Sequence, residues 1–282
     1  MSVASAYWLD GFSRVWREEA AADEDAAVRA WYRDLLTPYL PETVRRTLDI
    51  GCGSGRMTSV LAQLCPGASH VAIDGSDEAV RRTAQRIEAE RIAGTARGVD
   101  ITTPGFSAAL LAEHGQFDLI TCFFVIHHYP VTTIARVLAE CRELCSRDGA
   151  IVLAECHDPD DARAHATERT CAELAEIAGQ PADLLLTPDV LERACVNAGF
   201  GGDEIQFDVR DGQPFTERER ARHAAELSRL QGRVAALVEQ VGTTRSPELQ
   251  RLEALVETMR TQEICGPIRH RPALVVLRPK HR

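Results

Sequence analysis

The chain has no Cys-x-x-Cys pair, no block of basic residues, no internal repeat and no apolar stretch near the roughly 18 residues that suggest a membrane span. Each absence removes a class of function. The nine cysteines are an odd number, and several, such as Cys122 and Cys156, lie in apolar segments, so they read as reduced thiols and not as a disulfide framework. Cys141 and Cys145 stand four apart on a helical pattern, but no nearby His or Cys pair completes a metal site, and no structural metal is expected. A net charge of −10, with the basic residues scattered among acids, argues against an extended nucleic-acid or anionic-membrane surface. No signal-peptide pattern opens the sequence, so the reading is a cytoplasmic protein whose partner is neither nucleic acid nor membrane.

What is present is enough apolar residue, 45% of 282, for one α/β domain with a full core. Strand-like runs at 47–50, 70–74, 96–101, 117–124 and 150–156 alternate with helical patterns at 56–64, 77–91, 105–114 and 131–146. Helical crossovers between strands imply a parallel sheet covered on both faces. A further helix is expected from Thr187, a cap, and Pro188, its first position, to about Gly199, followed by strands at 204–209 and 273–277. The predicted fold is therefore α/β, a Rossmann-like, doubly wound, mostly parallel seven-stranded sheet. Four segments result: an N-terminal helical flap (1–43), the core (44–212), a helical hairpin insertion (213–270) and the final strand with its tail (271–282). The flap holds all three tryptophans, and it can pack on the core or act as a lid. In the insertion, Leu227, Leu230, Val234, Leu237 and Val241 recur three and four apart, Gly242 breaks the pattern, and Ser246-Pro247 starts a second helix carrying Leu249, Leu252, Val256 and Met259. This hairpin either folds back on its own domain or pairs with a second copy to form a homodimer.

Residues 48–57 read Leu-Asp-Ile-Gly-Cys-Gly-Ser-Gly-Arg-Met, a strand end running into Gly51, Gly53 and Gly55 with Asp49 two residues before the first. A dinucleotide fingerprint needs its third glycine three residues after the second, where this chain has Arg56, and a carboxylate at Asp49 does not suit a pyrophosphate. The segment resembles the first motif of class I S-adenosylmethionine-dependent methyltransferases, an acid, one residue, then Gly-x-Gly-x-Gly. The resemblance implies that Asp49 receives the ammonium of the cofactor's methionine part and that the glycine turn lies against the cofactor. It also implies that Asp74, at the end of the second strand, accepts from the ribose hydroxyls. Asp100, with Val99 or Ile101, corresponds to the adenine segment, although Asp100 can equally cap the next turn. Residues 117–123 resemble the fourth motif, with Phe123 as a cofactor contact and Asp118 as a structural acid. Tyr7, Arg14 and Arg56 are candidates for the cofactor carboxylate, and spacing does not choose among them.

Two histidines, His127 and His128, follow the fourth strand, and Glu155 closes the fifth beside them. An imidazole with the ordinary value of about 6.5 accepts a proton at cellular pH, and Glu155 can orient the resulting cation; a packed, hydrogen-bonded His is the other reading. The fourth strand's end lacks the Asp/Asn-Pro-Pro-aromatic signature of amino-methylating DNA enzymes and the Pro-Cys pair of cytosine-carbon methylation. With the acidic composition, this favours a small-molecule acceptor, with Trp8, Phe124 and Tyr129 as its aromatic contacts. The layout is also similar to bacterial specialised-metabolite methyltransferases, including those that methylate carbon three of indoles. Methylation of oxygen or nitrogen on another metabolite, or a non-catalytic cofactor-binding module that holds a partner, are the alternatives.

Overall fold

A computed structural model describes residues 22–155, 186–210 and 272–280, together with the helical, exposed positions Ser228, Ala254 and Glu257. In chain order the elements are α1 (Ala22–Leu36), β1 (Arg46–Ile50), α2 (Arg56–Leu64), β2 (Ser69–Asp74), α3 (Asp77–Ala89), β3 (Gly94–Gly98), α4 (Phe106–His114), β4 (Phe117–Phe123), α5 (Val131–Leu144), β5 (Cys145–Glu155), α6 (Pro188–Asn197), β6 (Ile205–Val209) and β7 (Ala273–Leu277). The strands form one sheet in the order β3-β2-β1-β4-β5-β7-β6. Every pairing from β3 to β5 is parallel, whereas β7 runs antiparallel to both β5 and β6. This is the expected seven-stranded, mostly parallel, doubly wound sheet.

The sheet is buried on both faces because its strands carry apolar residues at odd and even positions alike. Leu48, Ile50, Ile120, Cys122, Leu153 and Val275 face α4, α5 and α6 through Leu110, Leu138 and Leu191. Leu119, Phe123, Val152, Leu274 and Val276 face the other way, against Leu35 and Leu36 of α1 and Met57, Val60 and Leu61 of α2. The C-terminal part of α1 is thus part of the core packing, with Trp31 and Tyr32 packed against it. Ser76 opens α3 by accepting from the Ala79 N–H at 3.4 Å, with Asp77 and Glu78 in the first turn where the helix dipole favours negative charge. At α6, Pro188 takes the first position as expected, but the Thr187 side chain makes no capping bond; its carbonyl accepts from Val190 and Leu191 instead. No helix among the described residues is long and apolar enough to cross a membrane.

Among the boundaries that differ from expectation, two have a clear physical reason. The third strand ends at Gly98 and not at residue 101, because Asp100 draws the backbone into a turn by accepting from the Thr102 N–H at 2.8 Å and the Thr102 hydroxyl at 2.6 Å. The fifth strand starts at Cys145, where the helix was expected to continue to 146, and reaches Ala150 through an irregularity opposite Phe117 and Leu119. Asp118 stabilises that irregularity. It accepts from the Arg45 and Arg46 N–H groups at 2.8 and 3.1 Å and from the Ser146 hydroxyl at 2.9 Å, joining the starts of β1 and β5. The hairpin seam at 227–259 and its pairing lie outside the described residues, apart from the three helical positions named above.

Since hydrogen bonds to a charged acceptor contribute about 1.5–3 kcal/mol, Asp118→Ala should destabilise the fold by about that amount. The expected result is a lower denaturant midpoint at constant slope, with cofactor affinity unchanged; an unaltered midpoint would remove Asp118 from the structural account.

Candidate cofactor and active site

The site begins at the bend after β1. Gly51, Gly53 and Gly55 all have positive φ, at +70°, +54° and +79°. The bend is held from three directions. The N–H groups of Gly51 and Cys52 donate to the Ile73 carbonyl at 2.8 and 3.0 Å, the Gly53 N–H donates to Asp74 Oδ2 at 3.0 Å, and the Thr83 hydroxyl donates to the Gly53 carbonyl at 3.0 Å. At Gly51 a side chain is excluded twice, by the left-handed conformation and by Val125, whose methyl groups occupy the space a Cβ would take. The turn after β1 and the turn after β4 are therefore pressed together, and a cavity of about 280 Å³ opens beside them. That volume is close to the range of small-molecule and cofactor sites.

Three carboxylates line this cavity, one from each of the first three strand ends: Asp49, Asp74 and Asp100. Asp49 is buried, at 2% exposure, and its partners are hydroxyls: Thr58 at 2.6 Å and Thr121 at 3.3 Å. No salt bridge to Asp49 exists among the described residues. Burial raises its pKa to about 7, the two threonine hydroxyls oppose the shift, and the neighbouring charge of Asp74 adds to it. A carboxylate so placed is suited to a cationic ligand group. Asp74 is also raised by burial, against the opposing N–H bonds of Ser76 and Gly53. Those bonds use only part of a carboxylate's acceptor capacity, so hydroxyl donors can still be received. Asp100 stands at the rim with Val99, Ile101 and Thr102 beside it in the lining.

Aromatic rings form part of the remaining wall. Phe123, Phe124 and Tyr129 line the cavity together with Tyr32 of α1, which was not singled out as a site residue from the sequence. Trp31 stacks on Phe124 with ring centroids 5.6 Å apart and planes 14° apart, and Tyr32 meets Phe123 edge-on at 5.5 Å. Phe124 has φ +59°, a conformation that disfavours side chains and that its N–H bond to the Ala154 carbonyl at 2.8 Å helps hold. Tyr32 was legible only as one of several aromatics in a charged helix. Its place in the wall follows from α1 packing over the end of β4.

The two histidines part ways. His128 lines the cavity, while His127 Nδ1 lies 2.6 Å from Glu155 Oε2 and is not among the lining residues. Glu155 is fully buried, and its other oxygen accepts from the N–H groups of Val125 and Ile126 at 3.2 and 3.0 Å. It therefore holds the turn that carries both histidines. Arg56 lines the cavity too, but its Nε is engaged by Asp25 of α1 at 2.7 Å, and Asp25 also receives Arg86. Tyr7, Trp8 and Arg14 lie outside the described residues.

Sequence comparison aligns residues 48–151 with the family described as "Methyltransferase domain". Among curated proteins, a ubiquinone biosynthesis O-methyltransferase of Psychrobacter arcticus is 26% identical over 57% of this chain and 61% of its own length. One of the same name from a Chelativorans species is 33% identical over 55% of this chain and 58% of its own length. The matched stretch thus spans less than two thirds of either relative. Among solved structures, a methyltransferase of Anabaena variabilis that depends on S-adenosylmethionine superposes with a TM-score of 0.55 at 18% identity, covering 100% of this chain and 96% of the other. That likeness is one of fold. The motif at 48–57, the matched domain over residues 48–151 and the strand order together make this chain similar to the S-adenosylmethionine-dependent methyltransferases.

Proposed function

We propose that the chain transfers the methyl group of S-adenosylmethionine to a small aromatic acceptor. The observation that carries this reading is the buried Asp49, a carboxylate without a salt bridge among the described residues, on the wall of a cavity that Tyr32, Phe123, Phe124 and Tyr129 also line. When bound, the cofactor supplies a methyl group already activated on a positively charged sulfur. Asp49 would hold its ammonium, Asp74 its ribose hydroxyls, and Asp100 with Ile101 its adenine, while Phe123 backs the methionine part. The protein's own share of catalysis is then alignment and exclusion of water. Tyr32, Phe124 and Tyr129 give a planar acceptor faces to stack against.

An acceptor that loses a proton needs a base at the cavity, and His128 is the imidazole that lines it. Glu155 acts through the turn, as a positioning residue, by holding His127 and the Val125 and Ile126 amides. The names of the curated relatives favour oxygen as the methylated atom, and an indole carbon, the more specialised reading, makes the same demand for proton removal. Incubation with labelled cofactor and a panel of phenols, indoles and amines tests the proposal, and product mass and fragmentation identify the atom. Tight cofactor binding with no transfer to any of them would favour a non-catalytic module that holds a partner.

Two predictions follow from the geometry. Because the folded pKa of Asp49 lies above the ordinary carboxylate value of about 3.9, its contribution to the stability of the ligand-free protein is complete below that value and is lost as pH rises through about 7. A cationic ligand favours the ionised form. Cofactor binding below pH 7 should therefore release a proton, seen as a calorimetric enthalpy that varies with buffer, and affinity should rise with pH up to a plateau above 7. Asp49→Asn should weaken binding by about tenfold or more and flatten this profile; a retained profile would assign the titration elsewhere. For the histidines, general-base catalysis is worth about 10²–10⁴-fold. His128→Ala should lower kcat by about a hundredfold with cofactor Kd unchanged, and His127→Ala by less; full turnover and an unshifted pH profile in both would mean that neither carries the proton.

A further inference from the structure

The wall that would face the adenine is a loop, residues 99–105, with no strand partner beyond Val99, whose N–H donates to the Asp74 carbonyl at 2.9 Å. Such a loop is mobile unless its polar groups are held elsewhere. Here, beside the turn that Asp100 makes with Thr102 and Thr103, successive carbonyls are held by an ion pair projecting from α5. Arg136 Nη2 donates to the carbonyls of Ile101 and Thr102 at 3.2 and 2.9 Å, and its Nη1 reaches the Thr103 carbonyl at 3.5 Å. The same Nη1 meets Glu140 Oε1 at 2.8 Å, one helical turn on. Glu140 is buried, at 8% exposure, and its two oxygens accept from the Gly105 and Ser107 N–H groups, each at 3.0 Å.

The division of labour is specific. α4 starts at a glycine with no side chain to cap it, and Glu140 supplies the missing acceptor to its first turn from another helix. Capping alone would not require an arginine that gathers three carbonyls in a row. The carbonyl of Thr102 is fixed by Arg136, and the same residue's N–H and hydroxyl both donate to Asp100 Oδ1. Arg136 therefore sets the orientation of the Asp100 carboxylate at the cavity rim, two hydrogen bonds away, without lining the cavity itself.

We infer that Arg136, braced by Glu140, is the positioning residue for purine recognition: it holds the 99–105 loop so that Asp100 discriminates an amino-purine nucleoside from its oxo counterpart. This rests on the cofactor reading proposed above. The methionine side of the cavity, built from Asp49 and the glycine bend, is outside its reach, so its loss should act on base selectivity and not on the cavity as a whole.

The test compares affinities for S-adenosylhomocysteine and for the same molecule with a 6-oxo purine, measured by calorimetry on the full chain. The unsubstituted protein should prefer the amino form by about tenfold or more, the worth of one hydrogen bond to a charged acceptor. Arg136→Met should reduce that preference to less than about threefold while KM for the cofactor rises and kcat at saturation stays nearly constant. Arg136→Lys keeps the charge beside Glu140 but cannot span three carbonyls, and it should give an intermediate preference; it also decides the matter if the Met variant does not fold. An unchanged preference in the folded variants, or equal affinity for the two nucleosides in the unsubstituted chain, overturns this inference alone. Failure of the unsubstituted chain to bind either one overturns the cofactor reading, and this inference with it.

Discussion

The site depends on a backbone bend that lies flat between two neighbours. Gly51 gives its N–H to the end of β2 and its bare face to Val125 after β4, so at this residue the bend is fixed by a hydrogen bond on one side and a steric contact on the other. Everything else is placed relative to it. Asp49 precedes the bend on a strand buried from both sides, Asp74 reaches across to the Gly53 N–H, and the left-handed Gly55 directs the chain into α2. A side chain at Gly51 would have to displace Val125 and, with it, the turn that Glu155 holds from below. The glycine bend and the histidine-bearing turn thus share one mechanical origin.

The electrostatic design follows from burial. Three carboxylates converge on one cavity, and the basic groups near it are engaged with other acids: Arg56 and Arg86 with Asp25, and Arg136 with Glu140. A region this rich in acid is costly to the empty protein, since like charges and desolvation both disfavour ionisation. In the proposed reading, a ligand carrying an ammonium, hydroxyl donors and an amino-purine would answer each acid in turn. Phe123 and Phe124 supply the complementary property, a surface that excludes water without competing for hydrogen bonds.

Much of this was legible in the sequence because the relevant signals are local. The alternation of strands and helices gave the sheet. The span of α2 at 56–64 and the strand at 273–277 agree with their sequence ranges, since each is a compact apolar pattern with clear ends. The strand-end acids Asp49, Asp74 and Asp100 all stand on one cavity, because parallel strands bring their carboxyl ends to the same edge. What was not legible is tertiary. Adjacent histidines in one short turn face different surroundings, and nothing in His127-His128 says which one meets Glu155. Tyr32 reaches the cavity only because α1 packs on the end of β4, and Arg136 and Glu140 look in sequence like an ordinary i, i+4 pair on an exposed helix face. The third strand was placed too late because the Asp100 turn competes with extension in a segment whose apolar pattern continues past it.

The reversed strand β7 has a further consequence. Val209 closes β6 and Ala273 opens β7 as paired neighbours, with the Arg210 N–H bonded to the Pro272 carbonyl, and Ala273 also pairs with Glu155. Residues 210–272 therefore leave and rejoin the sheet at a single point, on the rim where Glu155 ends its strand. Closing a longer excursion between two fixed, adjacent ends costs only a logarithmic increment of entropy. Evolution can lengthen, shorten or exchange that excursion without shifting the register of any strand, which leaves the rim open to innovation while the sheet beneath keeps its job.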